Sequence, residues 1–556
     1  MKRQLVLHDA KKTIRIIEQA LGSAHWLELS KPGERADPSG PEIMDTLLMS
    51  YILNSTTDHS IDTLARTHLG MKDFKEMAEI ATGMMRGGGG GKSKSPRAGA
   101  WISSVNVFDA IQSTTDTAFA VLQLSNVFRE QLRDENQEGG GKRWKLLKGV
   151  EIPVMLVLLE MESYGVLVDT KKLTRLGDSY AKEIEELTGE AYALSGKQFN
   201  LNSAPQLQAI LFKELGMPVL DKSKSGQPST SEDVLKKLSE NPKLVDSKGA
   251  QLAGVLLKYR HFSKLKSTWL DSLPKAASAR DSRIRCTFNQ AVTSTGRLSS
   301  SNPNLQNIPA RTKEGREVRA AFIAPSGKKI LSADYSQIEL RVMANFSRDP
   351  SLLNAFRTGK DVHKATAAEI FNVSEDDVTS ELRRRAKTIN FGLIYGMSSY
   401  GLAAQLGVKE PEARDMIEKY FQKYPGVQAY MNKTLDGARK LGYVETLYGR
   451  RIHVPGIRDK KQNVRKAAER VAINAPVQGT AADLIKVAMV NLADRVRQDS
   501  IPANLTMQVH DELVFEVEED AVQTLSSVVK EEMENAMPEL GVPLTVNIDL
   551  GDHWSH

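Results

Sequence analysis

The 556-residue chain contains a single cysteine, Cys286. That excludes an internal disulfide and any cysteine cluster for zinc, and it fits a reducing compartment. Cys286 itself reads as a core thiol. Long apolar runs are also missing. No window is suited to span a membrane, and the apolar run in MKRQLVLHDAKK is far too short for a signal peptide, so the expected location is the cytoplasm, with no membrane partner. No repeat recurs at a fixed period. Neither sign of charge dominates: 75 Lys and Arg stand against 69 Asp and Glu, for a formal charge of +6 and a pI of about 9.0. This mildly basic balance is compatible with nucleic acid and does not by itself establish it. Apolar residues make up 40% and charged residues 26%, enough for cores throughout and without the composition of a disordered chain. The length implies about three or four domains.

What is present begins with punctuation. The runs RGGGGGKSKSP, Arg86 to Pro96, and EGGGKRW, Glu138 to Trp144, read as flexible linkers. Neither has the GxxxxGK[ST] spacing between a strand and a helix that a phosphate-gripping loop needs. Residues 1–137 read as helices and short strands, including Ile43 to Ser55. From about residue 146 to 270 long helical patterns dominate, interrupted by the polar stretch Asp221 to Asp233, expected as a mobile loop. After about residue 280 strand-like runs such as KKILSADYSQIEL and NLTMQVHDELVFEVE are separated by helical blocks. The expected class is therefore α/β (α+β), multidomain, with a sheet closed by distant segments around a helical insertion.

In RRRAKTINFGLIYG, residues Arg383, Lys387, Phe391 and Tyr395 recur every four positions, so on a helix they share one face. Two cations and two aromatics make a poor core stripe, because an unpaired buried cation is costly. An anionic tail and a flat base suit that face, and a nucleotide has both. The alternative is a solvated basic face; Arg384 and Arg385 already supply one, while INFGLIYG is too apolar for a surface. In LSADYSQIELR, Ile330 and Leu331 lead into Asp334 at an expected strand end. In TMQVHDELVFEV, alternating Met507 and Val509 lead to His510, Asp511 and Glu512, and Leu513 to Val517 return, the pattern of a hairpin with acids at its tip. Each acid alone reads more readily as a solvated turn residue than as a functional one. Brought together, carboxylates from the two segments suit a pair of magnesium ions. DVHKATAAEIF adds His363 and Lys364 as a further phosphate contact.

These stretches carry a resemblance. DYSQIELR, RRRAKTINFGLIYG and QVHDEL resemble motifs A, B and C of family A DNA polymerases, the bacterial DNA polymerase I type. TSTGRLSSSNPNLQNIP, DVHKATAAEIF, YFQKYPGVQAYM, GYVETLYGRRIHVP and AERVAINAPVQGTAADLIK resemble the family too, in its order, so the resemblance covers roughly residues 146–556. It implies a right-hand polymerase fold, with thumb at 146–280, palm at 281–345 and 440–556, and fingers at 346–439. Residues 1–145 resemble a degenerate, ribonuclease-H-like 3′–5′ exonuclease domain.

The resemblance also implies roles. Asp334 and Asp511 match the two metal-binding aspartates, Glu512 a supporting acid, and Lys387 a catalytic proton donor to pyrophosphate. Arg383 and Lys387 match triphosphate ligands, His363 and Gln337 further contacts around the incoming nucleotide, and Phe391 and Tyr395 sugar and base-pair contacts. Glu339 matches the residue that crowds the sugar 2′ position. Arg297, Gln306, Asn307, Arg470, Asn474, Gln478 and His510 match residues that hold primer and template, several of them amides suited to minor-groove edges. The implied ligands are two Mg2+ ions, for which Mn2+ substitutes, deoxynucleoside triphosphates and primer–template DNA, acted on by a monomer in DNA replication and repair. Closure of the fingers implies selection by induced fit. Phe391, lacking the hydroxyl of relatives that accept dideoxynucleotides, implies discrimination against chain terminators.

The N-terminal resemblance departs from its pattern. HDAKKTIRIIEQALG resembles the second exonuclease motif and IMDTLLMSYILNS the helix that follows it. The first motif would precede residue 1, and the family's tyrosine and aspartate of the third fall on Ser113 and Thr117. Asp9 remains, and Asp116 is turned by about 100° from the lost position on a helix. The 5′ nuclease domain of many relatives has no counterpart in this sequence. The expectation is a template-directed DNA polymerase without proofreading. A non-catalytic nucleic-acid-binding descendant is disfavoured by intact Asp334, Asp511, Lys387 and Arg383, and a metal-dependent nuclease by its missing acids.

Overall fold

At the N-terminal end, β1 (Gln4–Leu7) and β2 (Glu42–Asp45) pair in parallel with Leu7 opposite Asp45. Between them α1 (Ala10–Leu21) starts just after Asp9, which takes a φ of 52°. The computed structural model describes residues 4–21, 42–72, 74, 106–133, 141–223 and 225–554. The glycine run Arg86 to Pro96 and residues 138–140 of the second run lie outside them.

Asp45 is 2% exposed. Its carboxylate accepts from the Asp9 amide at 3.1 Å, the Ala10 amide at 2.9 Å and the Leu47 amide at 2.9 Å, so it caps α2 (Thr46–Leu53) and ties the start of α1 to it. The helix expected near Ile43 to Ser55 is thus a strand followed by a helix. α2 is buried at Leu48, Met49, Tyr51 and Ile52, as a helix apolar on most of its circumference must be. α3 (Val107–Arg133) carries Ser113, Asp116 and Thr117.

Contacts divide the chain into two units. The larger comprises residues 1–163, 288–301 and 331–550, the smaller residues 164–287, 302–330 and 551–556. The larger holds β3 (Lys328–Tyr335) from Leu331 onward, α4 (Ile338–Ser347), α5 (Val362–Phe371), α6 (Ser380–Ile394), α7 (Gln462–Gln498), β4 (Ala503–Val509), β5 (Glu512–Glu518) and nearly all of β6 (Val546–Gly551). The sheet order is β4-β5-β3-β6. β4 and β5 run antiparallel, with Val509 opposite Glu512 and a register shift between Leu505 and Met507. Four consecutive buried residues in β3, Ile330 to Ala333, and five in β5, Leu513 to Val517, are what strands covered on both faces require. The mixed class and the hairpin with acids at its tip agree with the sequence reading.

α7 is 37 residues long and contains Pro476, which leaves the Ala472 carbonyl without its helical donor. At Gly479 a Cβ would lie 2.7 Å from Thr446 Cγ2 and 2.9 Å from the Thr295 carbonyl oxygen, so the loop before Arg297 seats directly on this helix.

Beneath that loop lies a closed group of charges. Glu151, Asp483 and Lys486 are 0% exposed and Arg450 1%. Lys486 Nζ donates to Glu151 at 2.7 Å, and Arg450 donates to both Glu151 and Asp483, the latter at 2.6 and 2.8 Å. Gln290 completes Glu151 at 2.7 Å and Thr446 completes Asp483 at 2.7 Å. Burial works against the Glu151 charge, but Lys486 and Arg450 overcome it and hold its carboxyl at about 2. Gly296, at φ 92°, would place a Cβ 2.6 Å from Arg450 Nε. Tyr51 on α2 faces the Arg450 guanidinium at 5.7 Å and donates to the Thr293 carbonyl at 2.7 Å. The network therefore shapes the loop that presents Arg297.

In the smaller unit, the helices Thr170–Ser195 and Lys248–Leu265 share a core that includes Leu187, Leu252 and Leu256. The polar stretch after Asp221 forms a turn in which Lys222 bridges Pro228, and the next helix starts at Glu232. Among the described residues no helix is long and apolar enough to cross a membrane.

Glu151→Ala should strand the buried Lys486 ammonium, remove one of the two carboxylates that hold Arg450 and lower unfolding stability by about 3–5 kcal/mol, read from a denaturant midpoint. The pH sign follows from a depressed carboxyl: stability contributed by Glu151 is complete above its usual 4.5 and is lost as pH falls towards 2. A parent midpoint that Glu151→Ala leaves in place would contradict the network.

Candidate functional site

Asp334 is the penultimate residue of β3 and alternates outward from a buried strand, so its side chain is exposed. Asp511 lies in the two-residue turn between β4 and β5, where His510 takes a φ of 55°. The Tyr335 amide donates to the Asp511 carbonyl at 3.2 Å, which brings the two acids to one end of the sheet. Asp334 is open on one side but walled by protein on the others. This partial desolvation, followed by the charges of Asp511, Glu512 and Asp549, pushes its carboxyl up to about 7. Burial raises the Asp511 carboxyl as well, opposed by Arg297. Asp549, on β6, is an acid of this group that no sequence motif had singled out.

Three residues after Asp334, Gln337 caps α4 at φ 53°, and its Oε1 is buried without a hydrogen-bond partner. Glu339, 4% exposed, accepts from Arg297 at 2.6 Å and from the Tyr395 hydroxyl. Burial raises the Glu339 carboxyl, opposed by Tyr395 and Arg297. Tyr395 is the C-cap of α6. One carboxylate thus links the helix that follows Asp334, the Arg297 loop and the end of the cationic and aromatic stripe.

The stripe forms as its spacing predicts. Thr379 caps α6 by accepting from Leu382 N at 3.2 Å. Arg383 and Lys387 are exposed, while Phe391 and Tyr395 are half-buried with ring centroids 6.4 Å apart. Arg383 is already engaged: its Nε donates to Asp361 at 2.6 Å. Asp361 also caps α5, accepting from His363 N and Lys364 N at 2.9 and 3.1 Å. Lys387 has no carboxylate partner among the described residues. His363 is 1% exposed, with its ring 5.7 Å from that of Phe391 and its Nδ1 2.9 Å from Asn390 Nδ2. Asn390 in turn bonds Thr366, which meets the Tyr424 hydroxyl at 3.0 Å. Asp361 and Asn390 were missed as site residues, although both lie inside quoted motifs; an acid directly before a helix was the available signal for Asp361.

On α7, Arg470 is exposed, and Asn474 and Gln478 are half-buried on the same face. Asn474 Oδ1 is buried without a partner. A Cβ at Gly396, the residue after Tyr395, would lie 3.2 Å from Arg470 Cγ, so this face abuts the end of the stripe. Gln306 and Asn307 form part of a 3-10 turn in the smaller unit, Gln306 being buried and Asn307 exposed.

Among the described residues no three or more His, Cys, Asp or Glu side chains are grouped to hold a metal ion. The pair Asp334 and Asp511 nevertheless offers the donor chemistry of a hard cation: crowded carboxylate oxygens whose mutual repulsion a divalent ion relieves. One or two carboxylates completed by substrate phosphates suffice for magnesium.

The sequence pattern of DNA polymerase family A matches residues 170–556. DNA polymerase I of Pseudomonas aeruginosa is 45% identical over 511 residues, covering 92% of this chain and 53% of that protein. DNA polymerase I of Bacillus subtilis is 40% identical over 548 residues, covering 98% and 58%, and the thermostable DNA polymerase I of Thermus aquaticus 46% over 418 residues, covering 75% and 49%. The chain spans about half the length of these curated relatives. Among solved structures, the POL domain of Pol1 from M. smegmatis, in complex with DNA primer-template and dNTP, superposes with a TM-score of 0.79 at 39% identity, covering 92% of this chain and 81% of that one.

The imidazole of His363 carries its own pH test. Burial first, then Arg383 and Lys387, lower it from 6.5 to about 4 against the pull of Asp361. An NMR titration should find the ring neutral at pH 6, and the stability it contributes should fall as pH drops from 6.5 towards 4 because the unfolded chain takes the proton first. A midpoint at or above 6.5 would contradict the enclosure seen here.

Proposed function

We propose, because this chain belongs to DNA polymerase family A, that it is a template-directed DNA polymerase. It adds deoxynucleotides to a primer 3′-OH, with residues 146–280 as thumb, 281–345 and 440–556 as palm, and 346–439 as fingers. The observation that carries the reading is the link from the acid pair to the stripe: the Tyr335 amide on the Asp511 carbonyl, and the Tyr395 hydroxyl on Glu339. Those bonds connect a metal-binding chemistry and a nucleotide-binding chemistry in one unit of the chain.

Asp334 and Asp511 would hold two magnesium ions, or manganese in their place, with Glu512 in support; when bound, such ions activate the attacking oxygen and neutralise charge on the phosphates. The new bond joins the primer 3′-oxygen to the α-phosphorus, and the bond to the pyrophosphate oxygen breaks. Arg383 and Lys387 face the triphosphate with charge-assisted donors. Lys387, free of a carboxylate partner among the described residues, supplies a proton to the leaving pyrophosphate. His363, held neutral by its surroundings, keeps Phe391 in place against the sugar. Gln337 turns its unpartnered oxygen towards the nucleotide. Glu339, pinned between Arg297 and Tyr395, is a rigid wall at the 2′ carbon. Arg470, Asn474, Gln478 and His510, together with Arg297, Gln306 and Asn307, hold primer and template. The protein acts as a monomer, in the cytoplasm, in replication and repair of DNA.

Proofreading is absent from this proposal. Asp9 and Asp45 are the neighbouring acids at the β1 and β2 ends, and Asp45 is spent on three backbone amides. On α3, Asp116 accepts from Gln112 at 2.9 Å at the surface, and Ser113 and Thr117 are not metal ligands for magnesium of the carboxylate kind.

Primer extension on a labelled template tests the activity. Asp334→Ala or Asp511→Ala should nearly abolish extension while primer–template binding persists; a rate within about tenfold of the parent, a barrier change below roughly 1.4 kcal/mol, would sink the two-metal assignment. For the sugar wall, Glu339→Ala should admit ribonucleotides and Phe391→Tyr should relax exclusion of dideoxynucleotides, and competition assays with unchanged preference in both would refute the stripe assignment. For proofreading, magnesium and a 3′-mismatched primer without nucleotides should leave the primer intact; shortening lost in Asp9→Ala would show a working exonuclease, and shortening retained there would reveal another nuclease site.

A further inference from the structure

Residues 293–297 turn back on themselves, and several elements of the larger unit hold them there. Thr293 Oγ1 donates to the Arg297 carbonyl at 2.7 Å, which closes the turn. The Thr295 carbonyl lies against Gly479 of α7, and Gly296 lies against Arg450. Two more carbonyls are taken by hydroxyls from the N-terminal segment. Tyr51 Oη donates to the Thr293 carbonyl at 2.7 Å, and Ser55 Oγ, just beyond the end of α2, donates to the Ser294 carbonyl at 2.8 Å. Where the chain enters this region, Lys11 of α1 donates to the Phe288 carbonyl, and the Phe288 amide donates to Glu162 at 2.7 Å.

Packing alone does not ask for these hydroxyls. Tyr51 is 1% exposed, and its ring meets His59 edge-on at 5.7 Å and the Arg450 guanidinium at 5.7 Å. Phenylalanine would fill the same space with no polar atom to satisfy. Burial raises the Tyr51 phenol to about 12, so it remains a donor at neutral and mildly alkaline pH. Ser55 is buried as well, and its hydroxyl adds a second donor beside the first. The two carbonyls they hold stand four and three residues ahead of Arg297. Arg297 in turn donates to Glu339 at 2.6 Å, and its charge acts on the Asp511 carboxyl. A shift of the turn therefore moves a side chain that reaches both the proposed sugar wall and the acid pair.

We propose, resting on the polymerase reading that puts Arg297 at the primer end, that Tyr51 and Ser55 are positioning residues for nucleotide addition. By holding the Thr293 and Ser294 carbonyls they fix the turn, so that the Arg297 guanidinium aligns the primer 3′-oxygen with the incoming nucleotide. Neither hydroxyl is open to DNA or nucleotide, since both side chains are buried and bonded to the turn. The N-terminal segment, to which no proofreading is assigned, thus serves synthesis through two hydrogen bonds.

The test is single-turnover extension of a matched primer by the full chain, in a double-mutant cycle that combines Tyr51→Phe with Arg297→Ala. Tyr51→Phe should slow the step at saturating nucleotide about tenfold, the effect of a small displacement of an aligning group. The nucleotide concentration giving half the maximal rate should change by less than about twofold. In the Arg297→Ala background Tyr51→Phe should cost nothing more, because the side chain through which it acts is gone. A general loosening of the fold would instead slow both backgrounds by the same factor. Ser55→Ala should show the same dependence on Arg297, and it decides the outcome if Tyr51→Phe does not fold. Parent rates in both variants, equal losses with and without Arg297, or a loss confined to nucleotide affinity would each overturn the proposal. If the parent extends no primer, or if Arg297→Ala keeps the parent rate, the polymerase reading or its use of Arg297 fails first and this proposal falls with it. That result is separable from a slow Arg297→Ala beside an unaffected Tyr51→Phe, which sinks the positioning role alone.

Discussion

Burying the Arg450 guanidinium is the constraint on which the larger unit turns. A cation removed from water survives only when partners are in place, and here Glu151 and Asp483 hold Nε and Nη2 of Arg450, with Lys486, Gln290 and Thr446 completing the two carboxylates, while the buried Nη1 has no hydrogen-bond partner. Those residues come from a π-helical turn, two loops and the middle of α7. Because none can shift without exposing a charge to apolar surroundings, the group fixes where the helix lies relative to the loop above it. Gly296 is the contact through which that order reaches Arg297.

From Arg297 onward the polar groups of the proposed nucleotide site hold one another. Glu339 occupies Arg297 and Tyr395, Asp361 occupies Arg383, and Asn390 occupies His363. Lys387 and Gln337 Oε1 stand outside this pairing, and so does the acid cluster, where burial and the charges of Asp511, Glu512 and Asp549 raise the Asp334 carboxyl to about 7. A site whose arginines are matched internally while its anions repel is a site prepared for a positive ligand first.

The local part of this was legible in the sequence. A run of apolar residues into Asp334, alternation on both sides of His510 and Asp511, and a four-residue recurrence from Arg383 to Tyr395 are each set by the geometry of a single strand, turn or helix. The family resemblance supplied the roles. What neither periodicity nor spacing shows is who answers whom across the fold: Arg450 and Glu151 are 299 residues apart in sequence, and Glu151 stands between the apolar Val150 and Ile152 at the end of the π-helical turn. The same blindness hid the hold of Asp361 on Arg383, since the stripe says which side chains share a face and nothing of the element opposite. His363 was expected as a phosphate contact; its burial and its bond to Asn390 follow from the packing of α5 against α6, which the sequence of either helix alone does not encode.

The Arg383–Asp361 pair has a consequence for how tightly any anion can be held there. Arg383 is not vacant, so a phosphate arriving at it takes part in an exchange in which one anion leaves as another is gained, and only the difference between the two contacts appears as affinity. Both partners are partly exposed, which keeps that difference small and the exchange quick. Simple inorganic anions then have little to gain, whereas a ligand that also engages Lys387 and Phe391 does not depend on the arginine alone. The internal carboxylate works as a competitor that sets the lowest grade of ligand the helix will retain.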